Sequence, residues 1–340
     1  MGRWLRTLLI LLVTASIGVG AWLLAVRVGA FEISREELLE RYSKPNSKFV
    51  DLDGLKVHYT DEGSGPPVVL VHASFMSLHA WDELAAALAQ RHRVIRFDMQ
   101  SCGLTGPDPK QRYSMEHNIA LVHALTTALD IDRYALIGTS SGGTVAFNHA
   151  AQYPERVTRL VLINSAGMPR TPATDPNRGR GNALSQWITR HHKSRQWWKR
   201  SLTQQITGGT APPASLIDRV YDFNRRRGLV EESAIYLRGF RTGDPEAVLA
   251  DVRSPTLILW GMGNITVSHL EADVMQLWLT NAPSLKRKYP KLGHYAYIEA
   301  PETVATDVDA FLSGAMDGEL RVTRRVLAGA AVSNASAPAP

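Results

Sequence analysis

Ser140 stands in Gly138-Thr139-Ser140-Ser141-Gly142-Gly143, a Gly-x-Ser-x-Gly spacing. The short apolar run 134–137 precedes it, and 144–151 follows with small and apolar residues at helical spacing. A strand that turns sharply into a helix needs residues without bulk on either side, which Gly138, Gly142 and Gly143 supply. Such a turn pushes the Ser140 hydroxyl out of the sheet as a nucleophile. It also aims the backbone N–H of Ser141, at the helix start, into the same space as an oxyanion donor. Alone, the pentapeptide fits an ordinary Gly/Ser turn equally well, so the other residues decide.

A nucleophilic serine needs a base, and His294 is the best placed of the 11 histidines. It follows the strand-like run 285–289 and precedes a final helical pattern over 304–312. His191 and His192 lie in a polar basic stretch, and His92, His117 and His123 are expected on surface helices or their ends, solvated. His72 closes the apolar run 68–71 and opens the loop Ala73-Ser74-Phe75. There a backbone N–H of Ser74 or Phe75 would supply the second oxyanion donor while His72 braces the loop.

Taken in order, these motifs resemble the α/β-hydrolase superfamily, in its lid-bearing serine esterase and lipase-like branch. The resemblance covers roughly 50–313. Residues 54–67 resemble the opening hairpin and 68–81 the strand with the oxyanion loop; Asp98 to Gly106 resembles Asp-x-x-Gly-x-Gly-x-Ser/Thr. Tyr153-Pro154-Glu155-Arg156-Val157 follows the elbow helix, and Pro255 to Gly261 resembles the strand that carries the third triad member. The resemblance implies a mostly parallel central sheet flanked by helices, with a helical lid inserted. It also implies cleavage of a carboxylic ester or related acyl bond through an acyl-enzyme, on a small, apolar acyl substrate. Serine in the elbow speaks against the branches that place an aspartate there, the haloalkane dehalogenases and epoxide hydrolases. A lactonase or carbon–carbon bond hydrolase uses the same machinery and stays open.

Two positions depart from the pattern. The oxyanion loop reads His72-Ala73 where the family has His-Gly, which restricts the backbone but keeps the side chain small. The acid position, three residues after Gly261, is Asn264. An amide oxygen still accepts the Nδ1–H of His294 and fixes its tautomer, but gives no charge to the imidazolium formed during attack. The same Asp-to-Asn change in a serine-protease triad costs about 10⁴ in turnover. The alternative acid site of the family is Asn164, again uncharged, and Glu271 and Asp273 are expected on a surface helix. Specialised catalysis, a substitute carboxylate, and a membrane-tethered ligand-binding protein with impaired chemistry therefore compete.

These residues must be held by a large core. The apolar runs 68–71, 94–97, 135–137, 160–163 and 256–260 alternate with helical stretches, as in an α/β sheet covered on both faces. Residues 31–167 and 251–318 form the expected core and 168–250 the lid; 319–340 is a tail, its Ala-, Ser- and Pro-rich end expected to be disordered. Cys102 is the single cysteine, so no intrachain disulfide forms, and no motif calls for a metal or cofactor.

Residues 1–30 read as a membrane anchor. The 19 residues 8–26 carry no charge, follow Arg3 and Arg6, and end at Arg27. Their length and the place of Arg27 favour an uncleaved helix over a signal peptide cut after Val28-Gly29-Ala30. The basic N-terminal flank puts the body outside the cytoplasm; a cleaved signal would make it secreted or periplasmic. The lid holds 14 Lys and Arg against 7 Asp and Glu, so removing it from the totals of 38 and 32 leaves 24 against 25. Its Trp187, Trp197 and Trp198 stand among Arg190, Lys193, Arg195, Lys199 and Arg200. That composition suits a membrane interface or an anionic partner, and equally a solvated basic face whose tryptophans pack inward. No recognition fold accompanies the charge, which speaks against nucleic acid.

Overall fold

The computed structural model describes residues 2–169, 182–209, 211–239 and 243–323. The tail beyond 323 and part of the lid lie outside the described residues. Eight strands form one sheet: β1 Lys48–Leu52, β2 Leu55–Glu62, β3 Pro67–Val71, β4 Arg93–Phe97, β5 Tyr134–Thr139, β6 Val157–Ile163, β7 Thr256–Gly261 and β8 Ser284–Tyr289. Their order is β1-β2-β4-β3-β5-β6-β7-β8. β1 and β2 pair antiparallel, as do β2 and β4; every later pair is parallel. The opening hairpin starts one strand earlier than the motif suggests. Its turn is Asp53-Gly54, both at positive φ, so Gly54 ends the turn rather than beginning the hairpin.

Thirteen α-helices accompany the sheet among the described residues: α1 Gly2–Arg27, α2 Arg35–Tyr42, α3 Asp82–Leu88, α4 Met115–Ala128, α5 Ser141–Gln152, α6 Ala183–His191, α7 Arg195–Gln205, α8 Ala214–Phe223, α9 Leu229–Gly239, α10 Pro245–Asp251, α11 Glu271–Trp278, α12 Ala296–Glu299 and α13 Pro301–Leu312. One apolar cluster packs α4, α5 and α11 on one face of the sheet; the other packs α3 and α13 on the opposite face. β3, β5 and β7 are apolar and buried nearly throughout, as parallel strands covered on both faces must be. α6 to α9 lie in the insertion between β6 and β7. α10 packs against α5, and its Leu249 belongs to the core.

α1 stands apart from this body. It is exposed along nearly its whole length, with a mean hydropathy of 2.4 over its most apolar 18 residues. Its C-terminal end reaches the lid: Trp22 meets His192 edge-on at 5.9 Å, and the Phe31 ring lies 4.7 Å from the same histidine. Ile33 pairs with Arg226 as an isolated bridge, and Arg225 donates to the Phe31 carbonyl at 3.0 Å.

Candidate active site

The three strands that end at the site deliver one residue each. Ser140 follows β5 with φ 52° and ψ −123°, a conformation that costs a non-glycine residue about 1–3 kcal/mol and persists only where its surroundings enforce it. Enforcement comes from close approach. A Cβ on Gly138 would lie 2.3 Å from the Gly142 carbonyl, and one on Gly142 would lie 2.3 Å from the Val71 carbonyl, so α5 can start only against glycine. Ser140 remains partly exposed at the top of the turn.

His294 comes from the loop after β8 and is buried. Its Nε2 lies 3.1 Å from Ser140 Oγ, and its Nδ1 lies 3.1 Å from Asn264 Oδ1. The amide oxygen cannot donate, so Nδ1 carries the proton and Nε2 accepts from the serine hydroxyl. Asn264 follows β7, and its Oδ1 also accepts the N–H groups of Thr266 at 2.9 Å and Val267 at 3.1 Å. Its Nδ2 is buried without a partner among the described residues. Burial pushes the His294 imidazole down to about 4, and no nearby charge opposes that shift. The ring is therefore a neutral acceptor with nothing anionic behind it.

The loop that carries His294 is braced from three sides. Asn164, at the end of β6, donates to the Gly293 and His294 carbonyls at 3.1 and 2.9 Å and accepts from Gly261 N–H at 2.9 Å. It holds the loop backbone rather than the ring. Glu299 accepts the N–H of Gly293 at 2.9 Å, Tyr295 at 3.2 Å and Thr207 at 3.1 Å. Burial raises its carboxyl above the usual range, partly offset by these donors. From the lid, the Gln205 carbonyl accepts His294 N–H at 2.8 Å. Asp273 is engaged elsewhere, by Lys286 and Lys288, and Glu271 begins α11 beside it.

The oxyanion side is set by the loop after β3. His72 is buried, its Nδ1–H donating to the Ala73 carbonyl at 2.8 Å and its Nε2 accepting Met99 N–H at 3.0 Å, so the ring does brace the turn. Ser141 opens α5, and its N–H is among those a helix ladder leaves free. Ser74 N–H points at the same corner, donating at 2.8 Å to the Ser141 hydroxyl, which Ser74 Oγ also meets at 2.7 Å. Phe75, the other expected donor, turns its side chain to the lid. Its ring lies 5.5 Å from Trp198, and its carbonyl accepts from Asn224 Nδ2 at 2.8 Å.

Among the histidines set aside, His92 is not solvated: it is buried, with Nε2 3.2 Å from an Asp309 oxygen on α13. Of the lid tryptophans, Trp198 packs inward, whereas Trp197 is 43% exposed. Sequence reading passed over Glu299 and Gln205. Glu299 had one available signal, a carboxylate within a turn and a half of the candidate base; Gln205 had none.

The comparisons with known proteins agree with the fold. A family described as alpha/beta hydrolase fold matches residues 66–301. The pimeloyl-[acyl-carrier protein] methyl ester esterase of Nitrosomonas europaea is 28% identical over 261 residues, 75% of this chain and 98% of that protein. The 2-hydroxy-6-oxo-6-(2'-aminophenyl)hexa-2,4-dienoic acid hydrolase of Metapseudomonas resinovorans is 27% identical over 279 residues, 79% of this chain and 92% of that one. Among solved structures, a membrane phospholipase A superposes with a TM-score of 0.61 at 24% identity, over 92% of this chain and 99% of that one.

Proposed function

We propose that this chain, which belongs to the α/β-hydrolase family, cleaves acyl esters with Ser140 as nucleophile, His294 as base and Asn264 as the residue that orients the base. The protein is a hydrolase of the carboxylic ester and related acyl class. The observation that carries the residue assignment is the unbroken chain Ser140 Oγ, His294 Nε2, His294 Nδ1, Asn264 Oδ1, with 3.1 Å at each contact, on a serine held at positive φ.

Ser140 Oγ attacks the carbonyl carbon while its proton passes to His294 Nε2. The carbonyl oxygen becomes an oxyanion against Ser141 N–H and, once the Ser141 hydroxyl yields its bond, Ser74 N–H. Collapse expels the alcohol, which takes the proton from His294. A water then repeats the sequence on the acyl-enzyme and releases the acid. Asn264 holds the tautomer through the cycle but leaves the transient imidazolium uncompensated, which makes proton uptake by His294 the costly step.

α1 is the membrane anchor in this reading. Its 26 residues would extend about 39 Å, enough for a bilayer core of about 30 Å, and its basic start places the body on the extracytoplasmic side. Because the segment after α1 docks on His192 and Arg225, the anchor sets the lid close to the membrane surface. Retention of the full-length protein in membranes through an alkaline carbonate wash, with its N-terminal peptide intact, tests this. A soluble product starting near Phe31 would refute it.

An alkyl fluorophosphonate tests the nucleophile. It should label Ser140 in the wild-type protein, read by peptide mass spectrometry, and p-nitrophenyl ester turnover should fall with the labelling. Turnover that persists unchanged in Ser140→Ala, with the wild-type label on a peptide other than that of Ser140, would reject the assignment.

A further inference from the structure

Another serine and histidine, here with a carboxylate, are joined in series apart from the Ser140 chain. Ser47 Oγ lies 2.8 Å from His58 Nε2, and His58 Nδ1 lies 2.7 Å from Asp98 Oδ2. The three come from the turn before β1, from β2, and from the end of β4. Asp98 is fully buried and accepts Leu78 N–H at 2.7 Å and Leu104 N–H at 2.8 Å, besides the imidazole. Burial alone would raise its carboxyl, but the hydrogen bond from His58 draws it below the usual range, so it is ionised. Where the His58 ring carries one proton, the aspartate acceptor takes it on Nδ1, and Nε2, 2.8 Å from Ser47 Oγ, accepts from that hydroxyl.

We propose that Ser47 is an activated hydroxyl and a site of covalent acylation by activated acyl donors, independent of Ser140. Lys44 N–H donates to Ser47 Oγ at 2.9 Å, so the oxygen that loses its proton to His58 already holds one donor suited to a developing alkoxide. Ser47 is half-buried rather than enclosed. Beside it the Phe49 ring, 42% exposed, lies 5.0 Å from the His58 ring and gives an acyl or aryl group an apolar ledge.

The same contacts define which donors react. The Lys44 N–H is spent on the attacking oxygen and cannot also stabilise an oxyanion on the acyl carbonyl. Donors must therefore bring their own leaving group: aryl esters, acyl phosphates and fluorophosphonates, not alkyl esters or amides. In the step itself the Ser47 Oγ–acyl bond forms and the acyl–leaving-group bond breaks. The Ser47 proton moves to His58 Nε2 and from there to the departing anion. Water has no equivalent support in the reverse direction, so the acyl group stays on Ser47.

The test uses full-length Ser140→Ala, with p-nitrophenyl acetate and an alkyl fluorophosphonate as probes and peptide mass spectrometry as readout. Ser47 should be modified at least about tenfold faster than any other hydroxyl on the chain. A companion variant, Ser47→Cys in the same background, tests the site by thiol alkylation with iodoacetamide. The introduced thiol should react as a thiolate well below the ordinary value of about 8.5. Cys102, whose thiol burial pushes up to about 12, is read separately on its own peptide. Faster modification at Ser47 supports the proposal, and a depressed thiol profile without it leaves an activated position that takes no acyl group and overturns the acylation. Ser47 reacting like any other serine, together with an ordinary thiol profile in Ser47→Cys, overturns it. Neither result touches the Ser140 assignment, whose label falls on a different peptide.

Discussion

The molecule holds two serine–histidine chains with opposite deficits. At Ser140 the serine sits on an elbow held at positive φ, two N–H groups converge beside it, and its histidine leans on a neutral amide. At Ser47 the histidine leans on a buried, ionised aspartate, but the serine lies in an ordinary turn and its one backbone donor is already engaged. The first has the geometry for a tetrahedral intermediate without the charge for its imidazolium; the second has the reverse. A hydrogen-bonded series of the right residue types is thus not by itself an esterase. Which half of the machinery matters more becomes an experimental question within one protein.

Removing the nucleophile is the severest test. Ser140→Ala should lower ester turnover to the residue that binding and the oxyanion donors alone supply, measured with p-nitrophenyl butyrate, because the triad members act as a unit. A residue of activity that vanishes only when Ser47 is also replaced would show the second chain turning over, against the expectation that it stops at the acyl stage. Next in size is Asn264→Asp. A carboxylate behind His294 should raise its pKa and could increase turnover toward about 10⁴, the reverse of the Asp-to-Asn loss. The pH profile separates charge from geometry. Activity needs neutral His294, so in the wild type kcat/KM should hold down to the region of the histidine's value of about 4 and fall below it. In Asn264→Asp the same limb should move upward, toward the ordinary histidine range near 6.5. A limb that stays put while turnover is flat would show that Asn264 does not set the charge state of His294.

The Ser140 chain was largely legible in the sequence because its signals are local. Glycines around a serine, a histidine after a strand, and an asparagine three residues beyond Gly261 each declare themselves within a few positions. The Ser47 chain was not. His58 and Asp98 come together because Tyr59 pairs with Phe97 across antiparallel β2 and β4, and Ser47 joins them because Phe49 pairs with His58 across β1 and β2. That register exists only once the strand order is known. His92 was misread for a related reason. Its partner in the folded chain, Asp309, lies 217 residues further along the sequence. Asp53-Gly54 carried a turn signature, yet its flanking strand 48–52 alternates too weakly to be seen without its partner.

The two asparagine–aspartate positions invite the reciprocal exchange. In Asp98→Asn, one oxygen is replaced by an NH₂ group, and each existing carboxylate oxygen faces a donor: Leu78 N–H at Oδ1, and His58 Nδ1 with Leu104 N–H at Oδ2. Either amide orientation therefore sets donor against donor in a fully buried site. The expected cost is about 3 kcal/mol of folding stability, in the range for leaving donors unsatisfied at a buried carboxylate site, read as a lower urea midpoint with unchanged slope. Asn264→Asp should cost less, since its Oδ1 keeps the donors already in place and only the unpartnered Nδ2 becomes a second buried oxygen. A small loss in Asp98→Asn would mean that His58 is not held by charge, and would weaken the Ser47 chain at its base.

The smallest expected effect falls on Glu299, which ties the candidate base to the lid. Its carboxylate collects three backbone N–H groups, two flanking His294 and one from Thr207 in the lid. Glu299→Gln keeps the shape but replaces one acceptor oxygen by a donor, so at least one of these bonds is lost. His294 would keep its ring contacts to Ser140 and Asn264 while its loop loosens by a fraction of an ångström. Such a misplacement should cost about tenfold in kcat, with KM nearly unchanged, because positioning is paid in the transition state rather than in substrate binding. Ser47 lies outside this brace, so its modification in the Ser140→Ala background should proceed at the same rate with either residue at 299. A parallel slowing at both serines would instead mark Glu299 as a residue that holds the whole fold.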